Sequence, residues 1–188
     1  MVSSPPPSGV DGSFCGADSP PLTPHHLAEF RARGTSLIGH LMKLVNTERT
    51  TLWDAYRRTT YVAHTGKDDI RINPDCLSSE LDVLLNERGV CEWAYVTAYN
   101  PQSRRLSEND NAKRQLELIK AVRNRGLTFF EGDAVADDGA WPAEPSLLIL
   151  GIRSDDALAL GRQFGQLAVV VGRTGEPARL VVCSGVRS

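Results

Sequence analysis

From Glu92 onward the chain alternates short apolar runs with amphipathic ones, in an order that few architectures accommodate. WAYVTAY, LTFFEGD, SLLILGI and LAVVVG are brief and rich in branched and aromatic side chains, and they read as strands. The segments Ser107 to Arg125 and Ser154 to Phe164 carry apolar residues at helical spacing. The resulting order, β-α-β-β-α-β, is that of a split βαβ or ferredoxin-like unit. GRTGEPARLVV then adds a turn and one more strand. Upstream, a short helix over Thr51–Arg58 precedes TTYVAHT and DIRIN, which form a hairpin around Gly66-Lys67. Asn73-Pro74 opens a further helix, with Leu77, Leu81, Leu84 and Leu85 on one face and Gly89 as its stop. The expected fold is therefore α+β: a ferredoxin-like half, an N-terminal ββα extension and an extra C-terminal strand in a mixed sheet. WAYVTAY and SLLILGI carry no charge and should be central. The second and fourth strands, which end at Glu131/Asp133 and Gly172-Arg173, should be edges.

Composition fixes the setting. A chain of 188 residues with 41% hydrophobic and 23% charged residues can bury one real core. Its net charge of -2 supplies no general attraction to nucleic acid or acidic membranes. Cys15, Cys76, Cys91 and Cys183 lack metal-binding spacing, so neither a metal site nor a disulfide framework is expected. Residues 1–22 are rich in Ser, Pro and Gly and read as a disordered tail. Thr23-Pro24 starts an amphipathic helical extension through residue 50, whose stripe of Leu27, Phe30, Leu37, Leu41 and Leu44 could dock on the domain or drive self-association. The domain itself spans residues 51–188. No secretory signal and no run long enough to cross a bilayer stand out, so a cytoplasmic protein without membrane attachment is the expectation.

Topology then points to a site. A right-handed crossover orients WAYVTAY and LTFFEGD alike, which brings three connections to one edge of the sheet: 100–107, 132–145 and 163–167. Asn100 stands at the mouth of a central strand, in extended geometry before Pro101. Ser107 with Asp110 explains a helix start. Asn109 and Asn111, poor helix formers in the first turn, suggest amides aimed at something. The second connection is long and carries Trp141 and Glu144. Its acidic groups Asp133, Asp137, Asp138 and Glu144 read as a solvated loop before they read as a cation site. Gly165 is a left-handed helix cap, and Gln166 enters an apolar strand with an amide that needs partners. The candidate ligand-binding residues are thus Asn100, Ser103, Asn109, Glu144 and Gln166 as hydrogen-bonding groups, Trp141 as a lid and Arg104 as an anion contact. Glu144 is the candidate acid–base group if chemistry occurs.

Other chemistries find less support. The domain has one histidine, His64, and no GxSxG, P-loop or dinucleotide-binding motif. Nucleic-acid binding would need Trp93, Tyr95, Tyr99, Phe129 and Phe130 on an open face; under a cover of helices they would be core. The sequence names no cofactor. The functional expectation is binding of a small polar or anionic ligand. A regulatory or interaction module built on the N-terminal helix, and nucleic-acid binding, are the alternatives.

Through AYRRTTY, WAYVTAYNP, the SEND helix start, WPAEPSLLILGI and LGRQFGQLAVVV, the chain resembles a bacterial family known as domain of unknown function 3293, across Ala55 to Cys183. The resemblance implies a bacterial, cytoplasmic protein and brings no established activity.

Overall fold

The computed structural model describes residues 51–139 and 141–183. The expected tail and the amphipathic helix over residues 23–50 lie outside the described residues. Helix α1 covers residues 51–57. It is followed by β1 Thr59–His64, β2 Asp69–Ile72, α2 Ser79–Glu87, β3 Glu92–Val96, a 3₁₀ turn Pro101–Ser103, α3 Glu108–Asn124, β4 Thr128–Ala136, β5 Glu144–Leu150, α4 Ser154–Gln163, β6 Ala168–Arg173 and β7 Arg179–Val182. The seven strands lie in the order β2-β1-β4-β5-β3-β6-β7.

The sheet is antiparallel throughout, not mixed. The crossover helix does leave β3 and β4 pointing the same way. However, β5 lies between them and pairs antiparallel with both. The second and fourth strands of the α/β half are not edges either. β1 pairs with β4 and β7 with β6, so Glu131 and Asp133 lie mid-strand in an inner β4, and Arg173 ends an inner β6. β2 and β7 form the edges.

Strand alternation sends side chains to two faces. Tyr61, Ala63, Trp93, Tyr95, Leu148, Leu150 and Val170 pack with Leu81, Leu84 and Leu85 of α2. Ala94, Val96, Leu147, Ile149, Val169 and Val171 pack with Leu118 and Val122 of α3 and Ala157 and Leu160 of α4. Each fully buried leucine contributes about 1.5–3 kcal/mol of transfer free energy. Trp93, Tyr95 and Tyr99 are buried; these aromatics are core and present no open stacking face.

Helix α2 starts later than Asn73-Pro74 suggested, at Ser79, and Leu77 is exposed. The intervening residues do something else. The Asp75 N–H donates to the Ala178 carbonyl at 2.8 Å and the Ala178 N–H donates to the Cys76 carbonyl at 2.9 Å. The chain leaving one edge of the sheet thus reaches the residue that precedes the other edge, and the sheet curls around the face that α2 covers. Among the described residues no helix is long and apolar enough to cross a membrane.

At the hairpin, His64 ties three strands together. Its Nδ1 lies 2.9 Å from Asp69 Oδ1 on β2 and its Nε2 lies 3.0 Å from Asp133 Oδ2 on β4. Both nitrogens can donate only when the ring is protonated. The imidazole pKa is accordingly raised, first by Asp133 and then by Asp69. This stabilisation is fully present below the ordinary value of 6.5 and is lost as pH rises through the raised one. All three groups are exposed, so the effect is small. Asp133→Asn is expected to lower the Tm by about 1–3 °C near pH 5.5, and by much less near pH 9. A gap that stays constant across that range would contradict the assignment.

Candidate functional site

Past Val96 the chain leaves the sheet, and its backbone groups need other partners. Side chains from α3, from the turn after α4 and from Thr97 itself supply them. Ala98 N–H donates to Gln115 Oε1 at 3.1 Å, and Arg114 Nε donates to the Ala98 carbonyl at 3.0 Å. Tyr99 N–H donates to Thr97 Oγ1 at 3.0 Å, and Gln166 Nε2 donates to the Tyr99 carbonyl at 2.9 Å. Asn100 N–H donates to Asn111 Oδ1 at 2.9 Å. Three residues of irregular backbone are therefore held almost wholly by side chains.

Asn100 is the pivot. It is not extended before Pro101 but left-handed, with φ 43° and ψ 58°. Asparagine tolerates this conformation better than most residues, and here its own amide locks it. Asn100 Oδ1 accepts from Leu106 N–H and from Asn111 Nδ2, each at 3.0 Å. Its Nδ2 donates to Glu144 Oε1 at 2.6 Å. Gln102 and Ser103 also have positive φ, 56° and 53°. Three non-glycine residues in this region within four positions store strain, at roughly 1–3 kcal/mol each.

Glu144 opens β5 and pairs across the sheet with Ala134, which in turn pairs with Tyr61. It is half-buried. Desolvation raises its pKa, while the hydrogen bond from Asn100 pulls the other way. Its Oε2 takes no hydrogen bond among the described residues. Three tyrosines feel its charge. Tyr56, Tyr61 and Tyr99 all have raised pKa values, in each case through burial first. Tyr99, pushed up to about 12, also donates to Glu108 Oε1 at 2.9 Å.

The three expected connections do meet, with adjusted limits. β4 runs to Ala136 and β5 starts at Glu144, so the second loop covers only residues 137–143. The first and third loops are joined where Gln102 N–H and Nε2 donate to the Gly165 carbonyl, at 2.8 and 2.9 Å. Gly165 is left-handed, with φ 72°, and a side chain there would press on Pro101. Ser107 caps α3 by accepting from Asp110 N–H at 3.1 Å.

Asn100, Glu144 and Gln166 thus share one network. Ser103 lies beside it, with its Oγ 2.7 Å from the Tyr56 hydroxyl. Arg104 and Asn109 are exposed, with no side-chain partner among the described residues; Trp141 is half-buried. The amide turned inward is Asn111, 3% exposed, and not Asn109. Asn111, Gln115, Leu118 and Val122 form a single buried stripe of α3. That spacing is readable, since Leu118 and Val122 projected back by seven residues land on the two amides. Tyr56 had no such signal. Among the described residues no group of His, Cys, Asp and Glu is arranged to hold a metal ion.

Neither the curated proteins nor the solved structures gave a match to this chain. One family model did match, over a narrower span than the resemblance suggested. It contains every expected site residue and leaves out Tyr56 and Tyr61. Over residues 96–169 the chain matches the model of the family described as protein of unknown function, DUF3293.

Proposed function

We propose that this edge of the sheet binds a small polar molecule, with Glu144 as its central contact. The observation that carries the reading is the state of that carboxyl group. It is half-buried, oriented by an amide whose own backbone is strained, and one oxygen is left without a hydrogen bond among the described residues. A purely structural network would gain from replacing it with a neutral group. Tyr56, Ser103 and Asn100 supply further donors and acceptors, Gln102 and Gln166 fix the loops, and Trp141 serves as a lid. If turnover follows binding, Glu144 carries the proton, since its raised pKa suits a general acid or base. An anionic ligand would face Glu144 and Glu108 with only the exposed Arg104 to favour it, so a polar ligand without negative charge fits better. We also read β3 to β6 as a ferredoxin-like unit on the order β4-β5-β3-β6, in a bacterial cytoplasmic protein.

A thermal-shift screen of the full chain against polyols, amino acids, nucleosides and sugar phosphates tests the reading. The expected result is a stabilising compound whose effect is lost in Tyr56→Phe and Ser103→Ala. A screen with no hit, or a hit indifferent to those substitutions and to Glu144→Gln, would remove it.

The carboxyl group also makes a prediction that needs no ligand. Its raised pKa means that ionisation is easier in the unfolded chain, so the cost appears above the ordinary value of 4.5 and grows as pH rises through the raised one. A glutamine keeps an oxygen for Asn100 to donate to. Glu144→Gln should therefore match the wild type near pH 4 and melt higher than it above neutrality. A lower Tm at every pH would mean that the carboxylate stabilises the fold. A group that weakens the fold but is needed for binding is what the trade-off between stability and activity predicts of a site.

A further inference from the structure

We propose that the ligand is an organic cation, whose ammonium or guanidinium group pairs with Glu144 Oε2, the oxygen that Asn100 does not engage. The inference rests on the reading of the edge as a binding site and goes on to name what the site takes.

Among the described residues Glu144 has no counter-charge. Its polar partner is the neutral amide of Asn100. The ion pairs of the described residues lie elsewhere, between Arg57 and Asp75, between His64 and Asp69 and Asp133, and between Lys120 and Glu117. Arg114, a half-buried cation of this edge, spends its guanidinium on the carbonyls of Ala98 and Phe164. A half-buried carboxylate with no cation is the costly arrangement for a protein interior, and a bound cation removes that cost.

The surroundings favour the same charge. Glu108, which accepts from the Tyr99 hydroxyl, adds a second negative charge at this edge. An anion would meet repulsion from both carboxylates. Tyr56, which is not among the buried tyrosines, comes close enough to Glu144 to feel its charge, and its hydroxyl lies 2.7 Å from Ser103 Oγ. A tyrosine ring beside a carboxylate favours ammonium and guanidinium groups through attraction to the ring quadrupole. The strained turn at residues 100–103 gives this arrangement its orientation, because the Asn100 amide leaves one carboxylate oxygen engaged and the other open.

The test is differential scanning fluorimetry of the full chain with four probes at millimolar concentration: choline, agmatine, 3,3-dimethylbutan-1-ol as the uncharged isostere of choline, and inorganic phosphate. The variants are Glu144→Gln and, as a control at an exposed ion pair, Glu117→Gln. Choline or agmatine is expected to raise the Tm by about 2–4 °C once it exceeds its Kd several-fold, with the alcohol and phosphate ineffective. Glu117→Gln should keep that rise and Glu144→Gln should lose it while remaining folded. A cation shift that survives Glu144→Gln overturns the proposal. A shift from the alcohol or from phosphate alone, lost in Tyr56→Phe, also overturns it and leaves the binding site standing. No shift from any probe overturns the cation proposal, and the binding reading then stands or falls on the wider screen.

Discussion

Replacing Asn100 with alanine should lower the Tm by roughly 6–12 °C, a loss of about 3 kcal/mol. Two separable costs contribute. Alanine in the left-handed region, which Asn100 occupies at φ 43°, costs about 1 kcal/mol. Removing the amide strands Leu106 N–H and Asn111 Nδ2 and takes the donor from Glu144, at about 1–3 kcal/mol together if water reaches some of them. Asn100→Gly divides the two. Glycine takes the left-handed conformation without strain, so it should recover only the first cost. Equal melting of the glycine and alanine variants would show that the backbone stores nothing there. If Asn100→Ala melted within a degree of the wild type, the amide would not be the pivot described above.

A methyl group at position 132 should be the more damaging change. Gly132 lies in β4 opposite Ala63, where the Tyr95 side chain crosses to donate from its hydroxyl to the Val62 carbonyl at 2.6 Å. A Cβ on Gly132 would overlap both the Val62 carbonyl oxygen and the Tyr95 hydroxyl. A flexible side chain can yield; the backbone of a paired strand cannot. Gly132→Ala is expected to cost about 4 kcal/mol or more, enough to drop the soluble yield and move the urea midpoint sharply down. Tyr95→Phe alone should cost about 1–2 kcal/mol for the hydrogen bond it removes. In the double variant the hydroxyl clash is gone but the carbonyl clash stays, so rescue should be partial. Full rescue would place the whole effect in the tyrosine.

These two positions show what the sequence reveals and what it hides. Strand and helix order from Glu92 was legible because period-2 and helical apolar patterns do not resemble each other, and β3 and β5 carried no charge to disguise their central place. Pairing was less legible. The charges of β4 and β6 read as edge signals, although β1 and β7 cover those strands: β4 runs on past Glu131 and Asp133 to Ala136, and only Arg173 ends its strand. Asn100 is marked by its place before Pro101, but its conformation is left-handed and not the extended one expected there. The local rule for a residue before proline favours extended geometry, and four tertiary hydrogen bonds to its backbone and side chain override that rule. Tyr56 could not have been found at all. It reaches Ser103 across 47 positions, and nothing in AYRRTTY distinguishes a tyrosine that faces a site from one that fills a core.

The link between residues 75–76 and Ala178 bears on how the protein is made. It joins parts of the chain about a hundred positions apart, and β1 likewise waits for β4, more than sixty residues downstream. Contacts of such sequence separation slow folding, because the loop between them must be closed before either end gains. During synthesis the first hairpin leaves the ribosome long before its partner strand exists. It spends that interval with Tyr61, Ile70 and Ile72 uncovered, which exposes it to aggregation and to chaperones. A chain that stopped before Ala178 would keep most of its strands, yet the curl would have no clasp.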